Sequence, residues 1–334
     1  MDDAFLGERR MKTQETSVSV VIPCYNGARF LKETLASVLA QSHRPLEVLV
    51  VDDGSTDGSA EIAEAFPDPV RVLRQSNRGE SVARNRGMNE ATGEWIAFLD
   101  ADDVWKPEKL KRQLAVAGPD VVGIHSDLYY FGSRNGVSDI RKRYGDERYS
   151  LERLAISNTL AGPGSTLMVR RELAPRFPEW TRYAEDQIFC LELVRRGRVV
   201  LVEEPLTGYR IHSNSQSQQN TYLVTIRWHE SIATWLSQQT DVTDEFRRGV
   251  HAGWAVKLAE ALNGCYRARD WAAYHEIAEY LKDYSDHPEI QEALSRKIYP
   301  RWTYAGLALL RAGARRARRM TPVSRNASRL FGPR

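Results

Sequence analysis

The chain has 334 residues, 42% hydrophobic and 27% charged, which is the make-up of a water-soluble globular protein with room for one large domain and an appendage. Its net charge of +3 is uneven: residues 293–334 hold eleven of the 47 Lys and Arg and no acid, which leaves a balance of −8 over the rest. The basic character therefore belongs to one end, and a nucleic-acid-binding body is excluded.

Cys24, Cys190 and Cys265 stand far apart without metal-ligand spacing, which leads us to expect a reduced, cytoplasmic setting. The first residues carry no apolar run of a secretion signal, and no window reaches the roughly 18 apolar residues of a membrane span.

Residues 1–16 are polar and are expected to be flexible. Residues 17–22 (SVSVVI) read as a first buried strand. Pro23-Cys24-Tyr25-Asn26-Gly27 reads as a turn, because proline cannot serve a central strand. Phe30, Leu31, Thr34, Leu35, Val38 and Leu39 follow a helical period. Residues 46–51 (LEVLVV) form the second strand and run into Asp52-Asp53-Gly54-Ser55-Thr56-Asp57, with Asp57 placed to cap a helix over 58–66. A short strand at 70–74 and a helix to about Thr92 follow, with Gly93 as its C-terminal stop.

Residues 95–99 (WIAFL) are a further buried strand, ending in Asp100-Ala101-Asp102-Asp103. Beyond a helix at 106–117 the pattern loosens. Strands are expected at 121–126 and 165–170, a polar aromatic-rich segment at 127–149, a helix at 151–157 and a Gly/Pro loop at 158–164. A helix at 187–196 follows Glu185-Asp186, and a last strand at 198–202 precedes Tyr209-Arg210-Ile211-His212. Helical spacing then runs from 222 to 284. The alternation of apolar strands and helices argues for a mostly parallel sheet wound with helices.

Two acid clusters thus lie at the ends of two predicted parallel strands, where open α/β sheets bind ligands. Three carboxylates within four residues repel one another unless a cation or water accepts them. Asp100 and Asp102 are spaced to reach one hard divalent ion, which takes one or two carboxylates and completes its shell with water and phosphate oxygens.

Six segments occur in order: VVIPCYNGARFLKETLASVLAQ, VVDDGSTDGS, NRGESVARNRG, WIAFLDADD, the AED of Ala184 to Asp186, and YRIHSNSQS. Together they make residues 17–215, about 60% of the chain, resemble a family 2 glycosyltransferase of the GT-A fold.

The resemblance implies a Rossmann-like α/β domain at 17–215, with a nucleotide-binding half at 17–120 and an acceptor-binding half at 121–215. A helical appendage at 216–295 and a basic amphipathic tail at 296–334 would follow. It implies that Pro23 and Tyr25 lie against the nucleotide base and that Asp52 or Asp53 hydrogen-bonds it. Arg84 would stand near the diphosphate, Asp100 and Asp102 would serve ribose and metal, His212 would join the metal or phosphate, and Asp186 would be the general base.

The implied reaction is an inverting, single displacement from a nucleoside-diphosphate sugar, dependent on Mn²⁺ or Mg²⁺. The acceptor would be a sugar or lipid-linked sugar, as in assembly of a bacterial surface polysaccharide or glycolipid. The apolar start of the tail (WTYAGLALLRAGA) and its arginines suit peripheral contact with the inner face of the plasma membrane. Substrate specificity is expected in 129–149 and 158–166. The alternative is a non-catalytic nucleotide-sugar-binding or scaffolding protein of the same fold. A dinucleotide-dependent oxidoreductase is excluded because no GxGxxG follows the first strand.

Overall fold

The computed structural model describes residues 16–160, 162–212, 222–284 and 288–295. These residues form two compact units: those up to 140 together with those from 159 to 212, and 141–158 together with those from 222 onward.

The first unit opens with β1 (Val18–Cys24), α1 (Ala28–Leu39), β2 (Glu47–Asp52), α2 (Ser59–Glu64), β3 (Val70–Arg74), α3 (Glu80–Glu90) and β4 (Trp95–Phe98). β1, β2, β3 and β4 pair in parallel. All seven residues of β1 and all four of β4 are buried, as expected for strands covered by helices on both faces. Gly87 lets α3 approach the sheet closely: a Cβ there would come within 2.4 Å of Val21 Cγ1. Residues 80, 84 and 87 share one helical face, so the approach that seats Gly87 on β1 also buries Arg84.

The chain continues through β5 (Val104–Trp105), α4 (Lys109–Leu114), β6 (Val121–Gly132), β7 (Gly136–Val137), α5 (Ile140–Tyr144), α6 (Leu151–Ile156), α7 (Pro163–Thr166), β8 (Met168–Arg170), α8 (Glu185–Val194) and β9 (Arg198–Ile211). The sheet order is β3-β2-β1-β4-β8-β6-β9-β5, with β7 beside β6. β8 runs antiparallel to β4 and β6, and β5 antiparallel to β9, while β6 and β9 pair in parallel. The result is the expected mostly parallel, helix-wound sheet. Its strand order reverses at β1, with β2 on one side and β4 on the other, and the crevice at the carboxyl ends of β1 and β4 is the place such sheets bind ligands.

Several local expectations need correction. Pro23 lies inside β1, opposite Val51. Val21 O accepts Leu99 N, so with a two-residue period Pro23 faces the same side, just past the last β1–β4 pair at Val21 and Phe98. Its missing N–H therefore costs the ladder nothing. Ser165 and Thr166 belong to α7, because Pro163 opens a short helical turn before β8. The helix expected at 106–117 is shorter and follows β5. β6 and β9 run on to Gly132 and Ile211, with register shifts at Val121/Gly123 and around Asp127 that hide a two-residue period.

The second unit contains α6, α9 (Tyr222–Ser237), α10 (Asp244–Ala268), α11 (Trp271–Tyr280) and α12 (Pro288–Leu294). Its core includes Ala255, Leu258, Leu262, Cys265, Tyr274 and Ile277. The carbonyls that end α6 are taken up by α10: Trp254 Nε1 donates to Ala155 O at 3.0 Å and Lys257 Nζ to Ile156 O. Residues 141–158, which the linear division counts with the acceptor-binding half, thus pack with the helices. No helix among the described residues is long and apolar enough to cross a membrane. The expected tail at 296–334 lies outside the described residues.

Candidate functional site

The turns after β1, β2 and β4 converge at the strand-order reversal. Tyr25, just past β1, is 56% exposed while Pro23 and Cys24 are buried, so its ring is free to offer a face to a ligand. The turn is fixed from below: Asn26 N and Gly27 N donate to Ser55 and Ser59 hydroxyls, and Ala28 N donates to Asp57 Oδ2 at 2.9 Å. Asp57 also accepts from Ser59 N. It therefore caps the start of α1 as well as α2, and its carboxyl is held below the usual range by those bonds against the opposing pull of burial.

Asp52 and Asp53 are both buried but differently employed. The Asp53 carboxylate accepts from Gln75 Nε2, Arg78 N and Gly79 N, each at 2.8 Å. It is consumed in holding the chain that enters α3. The Asp52 carboxylate has one bond of this kind, from Ser55 N at 3.2 Å.

The three acids after β4 are also sorted by packing. Asp103 is buried, and its Oδ1 accepts Arg210 N at 2.8 Å. Burial, with the charges of Asp100 and Asp102, pushes its carboxyl well above the usual range. It is a structural tie between the turn and β9. Thr34 on α1 donates to Ala101 O and Asp103 O and fixes the turn from the other side. Asp100 keeps 28% of its side chain exposed, with one oxygen on Arg84 Nη2 at 2.7 Å. Its backbone N–H is held by Ser165 Oγ. Asp102 is 34% exposed, and its Oδ2 meets His212 Nε2 at 2.9 Å. Burial and the Asp100 charge raise the Asp102 carboxyl, opposed by its bond to His212.

Arg84 is not on a solvated helix face. It is 3% exposed, and its Nη2 serves both Asp100 and Glu80. Its Nε and Nη1 are buried without a hydrogen-bond partner. The expected role was contact with a diphosphate; in this structure the guanidinium is held on Asp100. Gly164 makes room for that pair, since a Cβ there would fall 2.6 Å from Arg84 Nη2 and 2.7 Å from Asp100 Oδ2.

Glu185 and Asp186 open α8. Ala184 precedes them with φ 57°, a left-handed conformation that costs a residue with a side chain about 1 kcal/mol. Phe177 anchors the incoming loop by stacking on Phe189 at 4.1 Å and by paired bonds with the Asn85 amide. Asp186 Oδ1 accepts Gln187 N at 2.7 Å, so it does satisfy part of the helix start, where negative charge is favoured.

Burial raises Asp186, with Arg84 opposing and Asp100 adding to the rise. Burial and the Asp186 charge push Glu185 up to about 8. Glu80 is raised by burial, against the pull of Arg84 and with the push of Asp100; a third of its side chain meets water, which screens it. Four carboxylates thus surround one guanidinium, and this surplus of negative charge favours protons or a cation.

Among the described residues, no three His, Cys, Asp or Glu side chains form a ready metal cage. A Mg²⁺-like ion needs only one or two carboxylates when its substrate brings phosphate oxygens, and carboxylate and water oxygens likewise suit Mn²⁺. Asp102 and Asp100 fit that donor set, with the His212 imidazole beside Asp102.

The structure therefore brings Tyr25, Asp52, Asp100, Asp102, His212, Arg84 and Asp186 to the turns at one end of the sheet. Sequence reasoning missed Glu80, Gly164, Ser165 and Arg210. Glu80 carried a signal, since it stands four residues before Arg84 on a helix. Gly164 and Ser165 fell within the 158–166 segment expected to set specificity, but their contacts with Arg84 and Asp100 carried no signal, because those partners lie more than sixty residues away.

Comparison with known proteins supports the same reading. Residues 19–176 match the family model described as glycosyl transferase family 2. An uncharacterized glycosyltransferase of Nostoc sp. is 38% identical over 58% of this chain, and the match spans 65% of that relative's length. A putative teichuronic acid biosynthesis glycosyltransferase of Bacillus subtilis is 30% identical over 65% of this chain and 85% of its own.

Among solved structures, S. aureus TarS in complex with UDP-GlcNAc superposes with a TM-score of 0.58 at 19% identity, covering 80% of this chain and 92% of that one. A mannosyltransferase of Pyrobaculum calidifontis in complex with GDP-Man and Mn²⁺ gives 0.54 at 21% identity, covering 90% and 80%. These likenesses establish the fold.

Proposed function

The chain belongs to glycosyl transferase family 2, and from that membership we propose that it transfers a sugar from a nucleoside-diphosphate sugar to an acceptor hydroxyl with inversion at the anomeric carbon. The observation that carries the reading is the joining of Asp100, Asp102, His212 and Asp186 at the carboxyl ends of β1 and β4.

Tyr25 stacks on the base, Pro23 shapes the turn beneath it, and Asp52, whose carboxylate is not consumed by the fold, accepts a hydrogen bond from the base. Asp53 supports this arrangement by fixing the entry to α3. Asp100 serves the ribose and, with Asp102 and His212, the ion, while Arg84 holds Asp100. A bound Mn²⁺ or Mg²⁺ would offset charge on the leaving diphosphate. Asp186 accepts the proton of the acceptor hydroxyl as the new glycosidic bond forms and the bond to the diphosphate breaks. The raised proton affinity of Asp186 suits a base that must take up a proton near neutral pH.

The B. subtilis relative supports surface polysaccharide or glycolipid assembly as the setting, with a lipid-linked acceptor at the inner face of the membrane and contact through the basic residues 296–334. Co-sedimentation with anionic vesicles, compared for the full chain and a chain ending at Ser295, tests that contact. Equal sedimentation of the two would refute it.

The central test is a panel of nucleotide sugars with Mn²⁺ or Mg²⁺. A true donor at 100 times its dissociation constant stabilises the fold by about 2.7 kcal/mol and releases nucleoside diphosphate. Binding without release across the panel would favour a scaffold, and no binding at all would refute the reading.

A further inference from the structure

Arg210 is the residue that the proposed reaction does not yet use and that the fold holds most elaborately. It lies at the end of β9, two residues before His212, with 11% of its side chain exposed. Its Nε donates to the backbone oxygen of Asp102 at 2.7 Å, and its Nη2 meets Glu33 Oε2 on α1 at 2.6 Å. Its own N–H donates to Asp103 Oδ1. The guanidinium lies 4.5 Å from the Phe30 ring and 4.3 Å from the Phe131 ring. Phe30 in turn packs against the His212 ring at 4.8 Å.

An ordinary surface ion pair contributes little to stability and has no need of this arrangement. Here a planar fork spans two acceptors at once and lies against two aromatic rings, which an ammonium cannot reproduce. One acceptor is the main chain of the residue whose carboxylate meets His212. Asp102 and His212 are 110 residues apart in sequence. Their 2.9 Å separation depends on how the turn after β4 is fastened to the end of β9, and Arg210 forms that fastening with Asp103.

We propose that Arg210 is a positioning residue: it sets the spacing of the Asp102 carboxylate and the His212 imidazole and thereby the affinity of this site for a divalent cation. The inference rests on the reading that Asp102 and His212 hold the ion. Groups that orient metal ligands without touching the ion typically govern 10- to 100-fold in affinity.

The test measures Mn²⁺ binding to the full chain, without nucleotide, by electron paramagnetic resonance and calorimetry. The proteins are the wild type, Arg210→Lys, Arg210→Met, Glu33→Gln and Asp102→Asn, each held well below its own thermal midpoint. Arg210→Lys and Arg210→Met should weaken Mn²⁺ binding by about 10- to 100-fold, and Glu33→Gln should bind nearly as the wild type, because the bond to Asp102 O remains.

Arg210→Lys keeps the charge and the aliphatic stem, so it decides the matter if Arg210→Met fails to fold. A lysine variant that restores both stability and Mn²⁺ affinity would overturn the proposal, since charge alone would then suffice. If Asp102→Asn loses Mn²⁺ and the Arg210 variants keep it, the ion reading stands and the positioning role falls. If Asp102→Asn binds Mn²⁺ as the wild type does, the ion reading itself fails and takes the positioning role with it.

Discussion

Replacing Asp52 and Asp53 separately by alanine should divide a pair that looks equivalent in the sequence. Asp53→Ala removes an acceptor shared by Gln75 Nε2, Arg78 N and Gly79 N. Hydrogen bonds to a charged group contribute about 1.5–3 kcal/mol each. Arg78 is exposed and Gly79 half-buried, so water recovers part of the loss, and a net cost of roughly 3 kcal/mol is expected. For a unit of this size that lowers the thermal midpoint by about 6–12 °C. Asp52→Ala removes one bond of 3.2 Å to Ser55 N and should cost about 1 kcal/mol. Its larger effect should be on affinity for the nucleoside diphosphate. Thermal and urea unfolding of both variants, with calorimetric titration of UDP and GDP, would read the two effects side by side. The reasoning is refuted if Asp53→Ala is as stable as the wild type, or if Asp52→Ala binds nucleotide unchanged while a folded Asp53→Ala does not.

Asp186→Asn should reduce transfer by about 10²- to 10⁴-fold with donor affinity retained. In the wild type, the rate should rise with pH through a value above the ordinary aspartate range, because burial raises that carboxyl; a rising limb that survives in Asp186→Asn would assign it elsewhere. Gly164→Ala should push Arg84 and Asp100 apart, since the added Cβ falls within 2.8 Å of both side chains. About 10²-fold of the rate should be lost, together with stability as the buried pair opens, as steady-state kinetics beside a melting curve would show.

Lys109 is fully buried, with its Nζ on Gln113 Oε1 at 2.7 Å, and burial holds it well below its usual pKa. The unfolded chain therefore binds the proton more readily, so the contribution of Lys109 to stability is present above the unfolded lysine value and is lost as pH falls toward the folded one. Lys109→Met should gain on the wild type by up to about 1.4 kcal/mol per pH unit across that interval. Urea unfolding between pH 10 and 7 that shows a constant difference would refute this.

The sequence by itself determined much of the first unit. The buried strands β1, β2 and β4, the glycine and acid turns after them, and the pair Glu185-Asp186 are local patterns whose physical meaning needs no partner. Strand, turn and carboxylate stand within about ten residues of one another at Asp100 and Asp102, so these two could be named before any packing was known, whereas Asp186 was named through the family resemblance.

What each acid does was decided only by tertiary structure, because it depends on groups that meet through the sheet. Asp53 is consumed by residues 75–79 and Asp103 by Arg210, while Asp100 shares one oxygen with an arginine that a helix map alone would leave in water and stays partly exposed. Pro23 entered a central strand because β4 ends just before its missing N–H. Residues 141–158 joined the helical unit because α10 supplies the donors that satisfy the end of α6. A hydrogen-bond partner a hundred residues away leaves no trace in local periodicity, and at this site such partners separate the carboxylates the fold consumes from those left to meet a ligand.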